Sequence, residues 1–122
     1  MAKTHSPGFL NLVNEAKPRI RELSLKQLEQ FKTQGDPFIL IDVREDHEWS
    51  KGHIPGALHI GKGILERDIQ SSVPERDKTL VLYCGGGYRS ILAADNLQKM
   101  GYTNVYSLEG GWSAWQEAHG AS

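Results

Sequence analysis

The single cysteine of the chain, Cys84, stands between an apolar run and three glycines in the stretch VLYCGGGYRS. Glycine weakens regular secondary structure by about 0.5–1 kcal/mol relative to alanine, so three in succession indicate a requirement of the backbone. A chain that passes from a strand into a helix through such a loop points successive N–H groups inward, where they add to the helix dipole and bind an anion. Because the thiolate is the reactive form of cysteine, the stretch predicts an anion cradle around a nucleophile.

Two interpretations of this loop stay open when the segment is considered alone. In the first, Arg89 closes a cradle of N–H donors around a catalytic Cys84. In the second, the glycines form a flexible turn and the thiol is a small structural side chain. The order of strand, cysteine, four further residues, arginine and helix favours the catalytic interpretation.

Length and composition restrict the classes of function. A chain of 122 residues with 39% hydrophobic residues forms a single domain that buries roughly two-thirds of its unfolded surface. Its net charge of −1 gives no electrostatic footprint for nucleic acid or an anionic membrane, and its apolar runs are too short to cross a bilayer. One cysteine cannot form an internal disulfide, so we expect a cytoplasmic protein and exclude a dithiol oxidoreductase.

The elements that must position the loop follow from the apolar pattern. Four segments predict strands: PFILIDV, residues 57–60, KTLVLYC and NVYSL. Helices are predicted over residues 9–16, between Ser24 and Gly35, in GILERDIQSSV, from Ser90 to Met100 and in GGWSAWQEA. Strands that alternate with helices indicate an α/β fold whose parallel sheet is covered on both faces, with sites beyond the carboxyl ends of the strands. Cys84 and Asp42 both stand at such ends.

Three motifs resemble those of the rhodanese family, the single-domain sulfurtransferases. CGGGYRS resembles the family's active-site loop, LIDVREDHEWSKGHIPGALHI is similar to its first signature, and LEGGWSAW resembles its closing signature. The resemblance runs from about Ile39 to Trp115 and implies a three-layer rhodanese-like fold, with a five-stranded parallel sheet and helices on both faces. We therefore expect an N-terminal helical extension over residues 1–23 and a rhodanese domain over residues 24–120.

The chemistry implied by the resemblance is the transfer of sulfane sulfur in two steps, without a metal or an organic cofactor. Cys84 takes the outer sulfur of a donor such as thiosulfate and holds it as a persulfide, which then passes to cyanide in an assay or to thiols in cells. The implied catalytic residues are Cys84 and Arg89, and the substrate- and anion-binding loop contains Gly85, Gly86, Gly87, Tyr88 and Ser90. The implied partners are a small-molecule donor, a thiol or cyanide acceptor and, as an alternative, a sulfur-relay protein.

The roles of several other side chains are predicted from their context. Asp42 and Arg44 lie two residues apart at a strand end and so point to one face, where the resemblance favours support of the cysteine loop over a surface pair. Arg89 binds the sulfonate end of the donor, ties the loop to a carboxylate, or does both. His53 is interpreted as a hydrogen-bonded turn residue, because a thiolate that is already formed needs no base. The histidines show no metal-ligand spacing, so no metal site is predicted.

Three alternative functions remain. A cysteine-dependent phosphatase or arsenate reductase resembles Cys-x5-Arg, whereas Cys84 and Arg89 enclose four residues, and the shorter loop favours a single sulfur atom over a tetrahedral phosphate. A non-catalytic rhodanese interaction module tends to lose its cysteine, which this chain keeps. A persulfide carrier that is loaded by a partner protein is not distinguished from the enzyme by sequence.

Overall fold

A computed structural model of the chain describes residues 5–120, which form six α-helices and five β-strands. The strands are β1 (Arg21–Leu23), β2 (Ile39–Asp42), β3 (Leu58–His59), β4 (Leu80–Tyr83) and β5 (Val105–Leu108). The helices are α1 (Pro7–Ala16), α2 (Leu25–Gln34), α3 (Asp46–Lys51), α4 (Lys62–Ser72), α5 (Arg89–Lys99) and α6 (Gly111–His119). Over these residues we find no helix with the length and apolar character that crossing a bilayer requires.

The five strands form one parallel sheet in the order β1-β5-β4-β2-β3. The central strand β4 pairs with β2 in a register that sets Asp42 beside Tyr83. The carboxyl ends of these two strands therefore lie at the same edge of the sheet, and the residues that follow them are brought together there. Every residue of β4 is buried, as its continuous apolar run predicts.

Two separate apolar cores cover the faces of the sheet. Alternate residues of a strand point to opposite faces, so Ile41 and Leu82 contribute to one core while Leu40 and Val81 contribute to the other. The first core also contains buried side chains of α1, α4 and α5, and the second contains those of α2 with half-buried side chains of α6. The predicted three-layer α/β fold with a five-stranded parallel sheet is confirmed.

Helix α2 illustrates how local sequence sets the element boundaries. The Ser24 hydroxyl accepts a hydrogen bond from the Gln27 amide at 3.1 Å, and the Gln27 side chain accepts one from the Ser24 amide at 2.8 Å. Gly35 ends the helix in the left-handed conformation, with φ of 75°, which glycine adopts without a Cβ penalty. The predicted start and end of this helix are confirmed.

The periodicity of apolar residues does not predict two short elements, the strand β1 and the helix α3. Strand β1 has three residues, of which only Leu23 is buried, so its pattern is too short to detect. Helix α3 has six residues, none of them buried, and therefore lacks an apolar stripe. β1 forms because the edge of β5 is available to it, and at the start of α3 the Glu45 amide donates to the Glu48 carboxylate at 3.0 Å.

Residues 5–23 are packed into the same body, and residues 1–4 of the predicted extension lie outside the described residues. Val13 and Ala16 of α1 are buried in the first core, and the guanidinium of Arg19 donates two hydrogen bonds to the Asp95 carboxylate on α5, at 3.0 and 2.9 Å. The division between residues 1–23 and 24–120 stays a prediction. The sheet and the first core both continue across it.

Candidate active site

Cys84 follows β4 directly and is 1% exposed. Its Sγ accepts a hydrogen bond from the Gly87 amide at 3.2 Å, and the Ser90 hydroxyl lies 3.6 Å from the same sulfur. The loop between Cys84 and Arg89 turns directly into α5, whose N-terminus adds positive potential near the thiol. The predicted strand, loop and helix are therefore present, and the N–H of Gly87 is directed at the sulfur.

The close passage of the loop past its neighbours depends on Gly87. This residue has φ of 97°, and a Cβ there would lie 3.1 Å from the Gly110 amide nitrogen. Neither Gly85 nor Gly86 has a positive φ, and a Cβ at Gly86 would meet nothing within 4 Å. Of the three glycines, one has a left-handed backbone.

The first turn of α6 clamps the loop from outside. The Trp112 amide donates to the Cys84 carbonyl at 2.8 Å, and the Ser113 amide donates to the Gly85 carbonyl at 3.0 Å. Gly111 has φ of 49°, and a Cβ at this position would collide with the Cys84 carbonyl oxygen. Sequence reasoning did not assign this clamp, although the GG pair in LEGGWSAW is its signal.

Arg89 is paired with a carboxylate that sequence reasoning missed. Its Nη1 and Nη2 donate to Oε1 and Oε2 of Glu48 at 2.8 and 3.0 Å. The hydrogen bonds from Arg89 lower the pKa of Glu48 to about 2, and the pKa of Arg89 is raised, first by Glu48 and further by Cys84. Of the two roles predicted for Arg89, the structure contains the tie to a carboxylate. Glu48 lies within the first signature, which is the signal that could have found it.

Ser90 joins the loop to the neighbouring strand. Its hydroxyl lies 2.8 Å from that of Ser107 on β5, and both side chains are buried. A chain of hydroxyl groups therefore leads from the Cys84 sulfur into the sheet. Ser107 carries no signal in the sequence, because a serine inside a short strand is not distinguished by its neighbours.

Asp42 and Arg44 form a buried ion pair with contacts at 2.8–3.1 Å. Arg44 also donates to the Gly52 carbonyl at 2.7 Å, and its guanidinium carbon lies 4.9 Å from the centroid of the Trp112 ring. Support of the cysteine loop stays a prediction for this pair. The contacts are consistent with this role, because Arg44 packs on the Trp112 ring and the Trp112 amide donates to the Cys84 carbonyl.

The remaining candidates lie around this arrangement. Tyr88 is 39% exposed on the loop. The ring of His53 stacks on Trp49 with centroids 3.5 Å apart, and its Nδ1 lies 3.2 Å from the Trp49 carbonyl oxygen, as a turn residue would. Within residues 5–120, no group of three or more His, Cys, Asp and Glu side chains could hold a metal ion.

The chain is similar to known proteins over most of its length. A family model described as "Rhodanese-like domain" matches residues 24–118. The thiosulfate sulfurtransferase GlpE of Shewanella oneidensis is 36% identical over 99 residues, which are 81% of this chain and 95% of that protein.

Solved structures give the same likeness. The human single-domain sulfurtransferase TSTD1 superposes with a TM-score of 0.70 at 30% identity, over 79% of this chain and 95% of that one. A Rhodopseudomonas palustris protein of unknown function, described as a possible tyrosine phosphatase, superposes with a TM-score of 0.84 at 32% identity, over 98% and 97% of the two chains. The resemblance predicted from three motifs is confirmed over most of the sequence, and the chain belongs to the rhodanese-like family.

Proposed function

We propose that this protein is a thiosulfate sulfurtransferase of the rhodanese type, which moves sulfane sulfur through a persulfide on Cys84. The observation that carries the proposal is the buried Cys84 sulfur, which accepts the Gly87 amide at 3.2 Å and precedes the N-terminus of α5. Such surroundings stabilise a thiolate and the anion that it forms on reaction. The reaction as proposed needs neither a metal nor an organic cofactor.

The first step loads the enzyme. The Cys84 thiolate attacks the outer sulfur of thiosulfate, a new S–S bond forms, and the bond between the two sulfur atoms of the donor breaks. Its electron pair leaves with sulfite. The terminal sulfur of the resulting persulfide carries the negative charge, which the loop amides from Gly85 to Ser90 stabilise.

The second step empties the enzyme. A nucleophilic acceptor attacks the outer sulfur of the persulfide, and the electron pair of the S–S bond returns to Cys84 as the thiolate. Cyanide becomes thiocyanate, and a thiolate becomes a persulfide. Arg89 supplies positive charge beside the loop in both steps, while Glu48 fixes its orientation and Asp42 and Arg44 support the loop through Trp112.

The first prediction concerns the covalent intermediate. Incubation with thiosulfate should make the intact protein heavier by one sulfur atom, because Cys84 is its single thiol, and cyanide or dithiothreitol should reverse the change. Cys84→Ser should show neither the added mass nor turnover, measured by mass spectrometry and by thiocyanate formation. Turnover that persists in this variant would exclude the persulfide mechanism.

A phosphatase is the second candidate, because a closely superposing relative is described as a possible tyrosine phosphatase. Four residues separate Cys84 from Arg89, and both terminal nitrogens of Arg89 already bind Glu48. A phosphate would therefore have to compete with a bidentate carboxylate for the guanidinium. Hydrolysis of an aryl phosphate faster than sulfur transfer from thiosulfate would reverse our choice.

A persulfide carrier and a non-catalytic rhodanese interaction module differ from the enzyme in the donors that they use. Turnover with thiosulfate, with glutathione persulfide and with a cysteine desulfurase as donor distinguishes the three functions. The enzyme should turn over with a small donor, the carrier only with the protein donor in a sulfur relay, and the interaction module with none. We place the reaction in the cytoplasm, because a lone cysteine suits a reducing compartment.

A further inference from the structure

Two residues that precede the matched range 24–118, His5 and Phe9, reach the cysteine loop. The rings of His5 and Tyr88 meet edge to face with centroids 4.7 Å apart, and the rings of Phe9 and Tyr88 are 6.4 Å apart, also edge to face. The His5 and Phe9 rings are themselves 5.2 Å apart. Three aromatic rings thus form one group, and one of them belongs to the loop.

The helix that carries Phe9 is held firmly against the domain. The Ser6 hydroxyl caps α1 by accepting the Phe9 amide at 3.3 Å. Farther along the helix, Val13 is buried in the first core. The ion pair between Arg19 and Asp95 then fastens the end of this segment to α5. Because α5 begins directly after Tyr88, Phe9 holds a fixed position relative to the loop, and His5 lies one residue before the Ser6 cap.

The loop is held by hydrogen bonds at most of its residues, whereas Tyr88 is held by aromatic packing. Arg89, Ser90 and the carbonyl of Cys84 are held by hydrogen bonds to Glu48, Ser107 and α6, all within the matched range. Tyr88 is held by packing against residues outside that range. Since the Cys84 side chain is 1% exposed, a reagent reaches the sulfur only as far as the side chains around the loop allow.

We propose that His5 and Phe9 are positioning residues that fix the ring of Tyr88 at the entrance to the cysteine loop and so favour small sulfur donors and acceptors over bulky ones. The effect on donors and acceptors rests on the proposed sulfurtransferase function. The effect on access to the thiol does not rest on that function, because it changes the rate at which any thiol reagent reacts with Cys84.

Alkylation of Cys84 tests the effect on access directly. The ratio of the rate with a bulky maleimide such as N-(1-pyrenyl)maleimide to the rate with iodoacetamide should rise by about three- to tenfold in His5→Ala, the size of effect that losing one aromatic contact produces. His5→Phe keeps an aromatic ring and should restore the original ratio. Leu12→Ala lies on the same helix at a side chain that is 60% exposed, and should leave the ratio unchanged.

A double-mutant cycle tests whether His5 acts through Tyr88. His5→Ala should have no further effect on the ratio once Tyr88→Ala is present, because both changes remove the same restraint. Additive effects in the cycle would overturn the proposal. An unchanged ratio in both His5→Ala and Phe9→Leu, with circular dichroism and the unfolding midpoint like those of the wild type, would overturn it as well.

Steady-state kinetics then separate the two proposals. In His5→Ala, KM for a bulky aryl thiosulfonate donor should fall by a few-fold relative to KM for thiosulfate, while kcat for thiosulfate stays within about twofold of the wild type. Absence of turnover in the wild type with every donor would refute the sulfurtransferase function, whereas the alkylation ratios would still decide the role of His5.

Discussion

Arg89 and Glu48 meet across 41 residues of sequence and form a bidentate ion pair beside the cysteine loop. The carboxylate engages both terminal nitrogens of the guanidinium, so the arginine is oriented before any substrate arrives. Such a fork is rigid. It contributes a fixed positive charge to the loop and leaves less of the guanidinium to chelate a tetrahedral anion.

The second prediction removes this orientation with Glu48→Gln. The amide keeps one acceptor and turns a donor toward the guanidinium, so one hydrogen bond to a charged group is lost. The expected cost is about 1.5–3 kcal/mol in the free energy of unfolding, together with a fall of about ten- to a hundredfold in kcat/KM from the misplaced loop. Urea unfolding and thiocyanate formation measure the two effects. Glu117→Gln, an exposed carboxylate on α6, is the matched control.

The same carboxylate gives stability a defined dependence on pH. The pKa of Glu48 is about 2 in the folded protein against an ordinary value of 4.5, because Arg89 favours the ionised form. Its contribution is therefore complete above about pH 5 and is lost as the pH falls toward 2. The difference in unfolding free energy between the wild type and Glu48→Gln should shrink over that range. A difference that does not vary with pH would contradict the assigned ion pair.

Predictability of the site from sequence depends on whether its residues are adjacent in the chain. Cys84, Arg89 and Ser90 lie in one loop, and the glycines between them indicate a special backbone. Glu48 and Ser107 reach the same loop from 41 and 17 residues away, and only the fold brings them there. No spacing rule links a carboxylate on a six-residue helix to an arginine on another, so the partner of Arg89 stayed open.

At the scale of elements, the first turn of α6 decides the position of the cysteine loop. Two of its amides bind the carbonyls of Cys84 and Gly85, so helix N-terminal donors that would otherwise need water are satisfied by the loop. The close approach requires Gly111, where a side chain would strike the Cys84 carbonyl. The closing motif of the sequence is therefore a structural partner of the loop.

The third prediction is that Gly111→Ala damages both stability and the site. Its left-handed backbone alone costs about 1–2 kcal/mol for a residue with a Cβ, and the collision with the loop adds to this. We expect a clear fall in the unfolding midpoint and a loss of sulfur transfer larger than the loss of stability explains. Gly63→Ala is the control, because α4 is regular there and a Cβ would meet nothing within 4 Å. Equal effects of the two substitutions would exclude the clamp.

The strength of the local pattern explains which elements the sequence predicts. β2 and β4 are continuous apolar runs, and α2 has a serine cap and a terminal glycine, so each is recognisable without its neighbours. β1 and α3 lack such signals, because their three and six residues complete neither an alternation nor an apolar stripe. β1 is stabilised by the edge of β5, which exists only after the sheet has formed.

For the whole molecule, the question is whether the N-terminal residues are a separate unit. α1 buries Val13 and Ala16 in the core that also covers the face of the sheet carrying Cys84, and β1 pairs with β5 through residues 21–23. Arg19 adds an ion pair with Asp95 of α5. A body joined through a shared core and a shared sheet should unfold in one cooperative step.

The last prediction tests this unity with Val13→Ala. Removing two buried methyl groups and leaving a cavity should lower the free energy of unfolding by about 1.5–3 kcal/mol. Because the core is shared, the whole transition should shift to lower urea while its slope stays unchanged. Tryptophan fluorescence reports on residues 49, 112 and 115, all distant in sequence from the substitution, and far-ultraviolet circular dichroism reports on the helices. The two probes should give the same midpoint, and Leu12→Ala on the exposed side of α1 should leave both midpoints unchanged.

If the circular dichroism shows a separate early transition while the tryptophan midpoint stays that of the wild type, α1 is an appendage, and the packing of Val13 does not contribute to the stability of the domain.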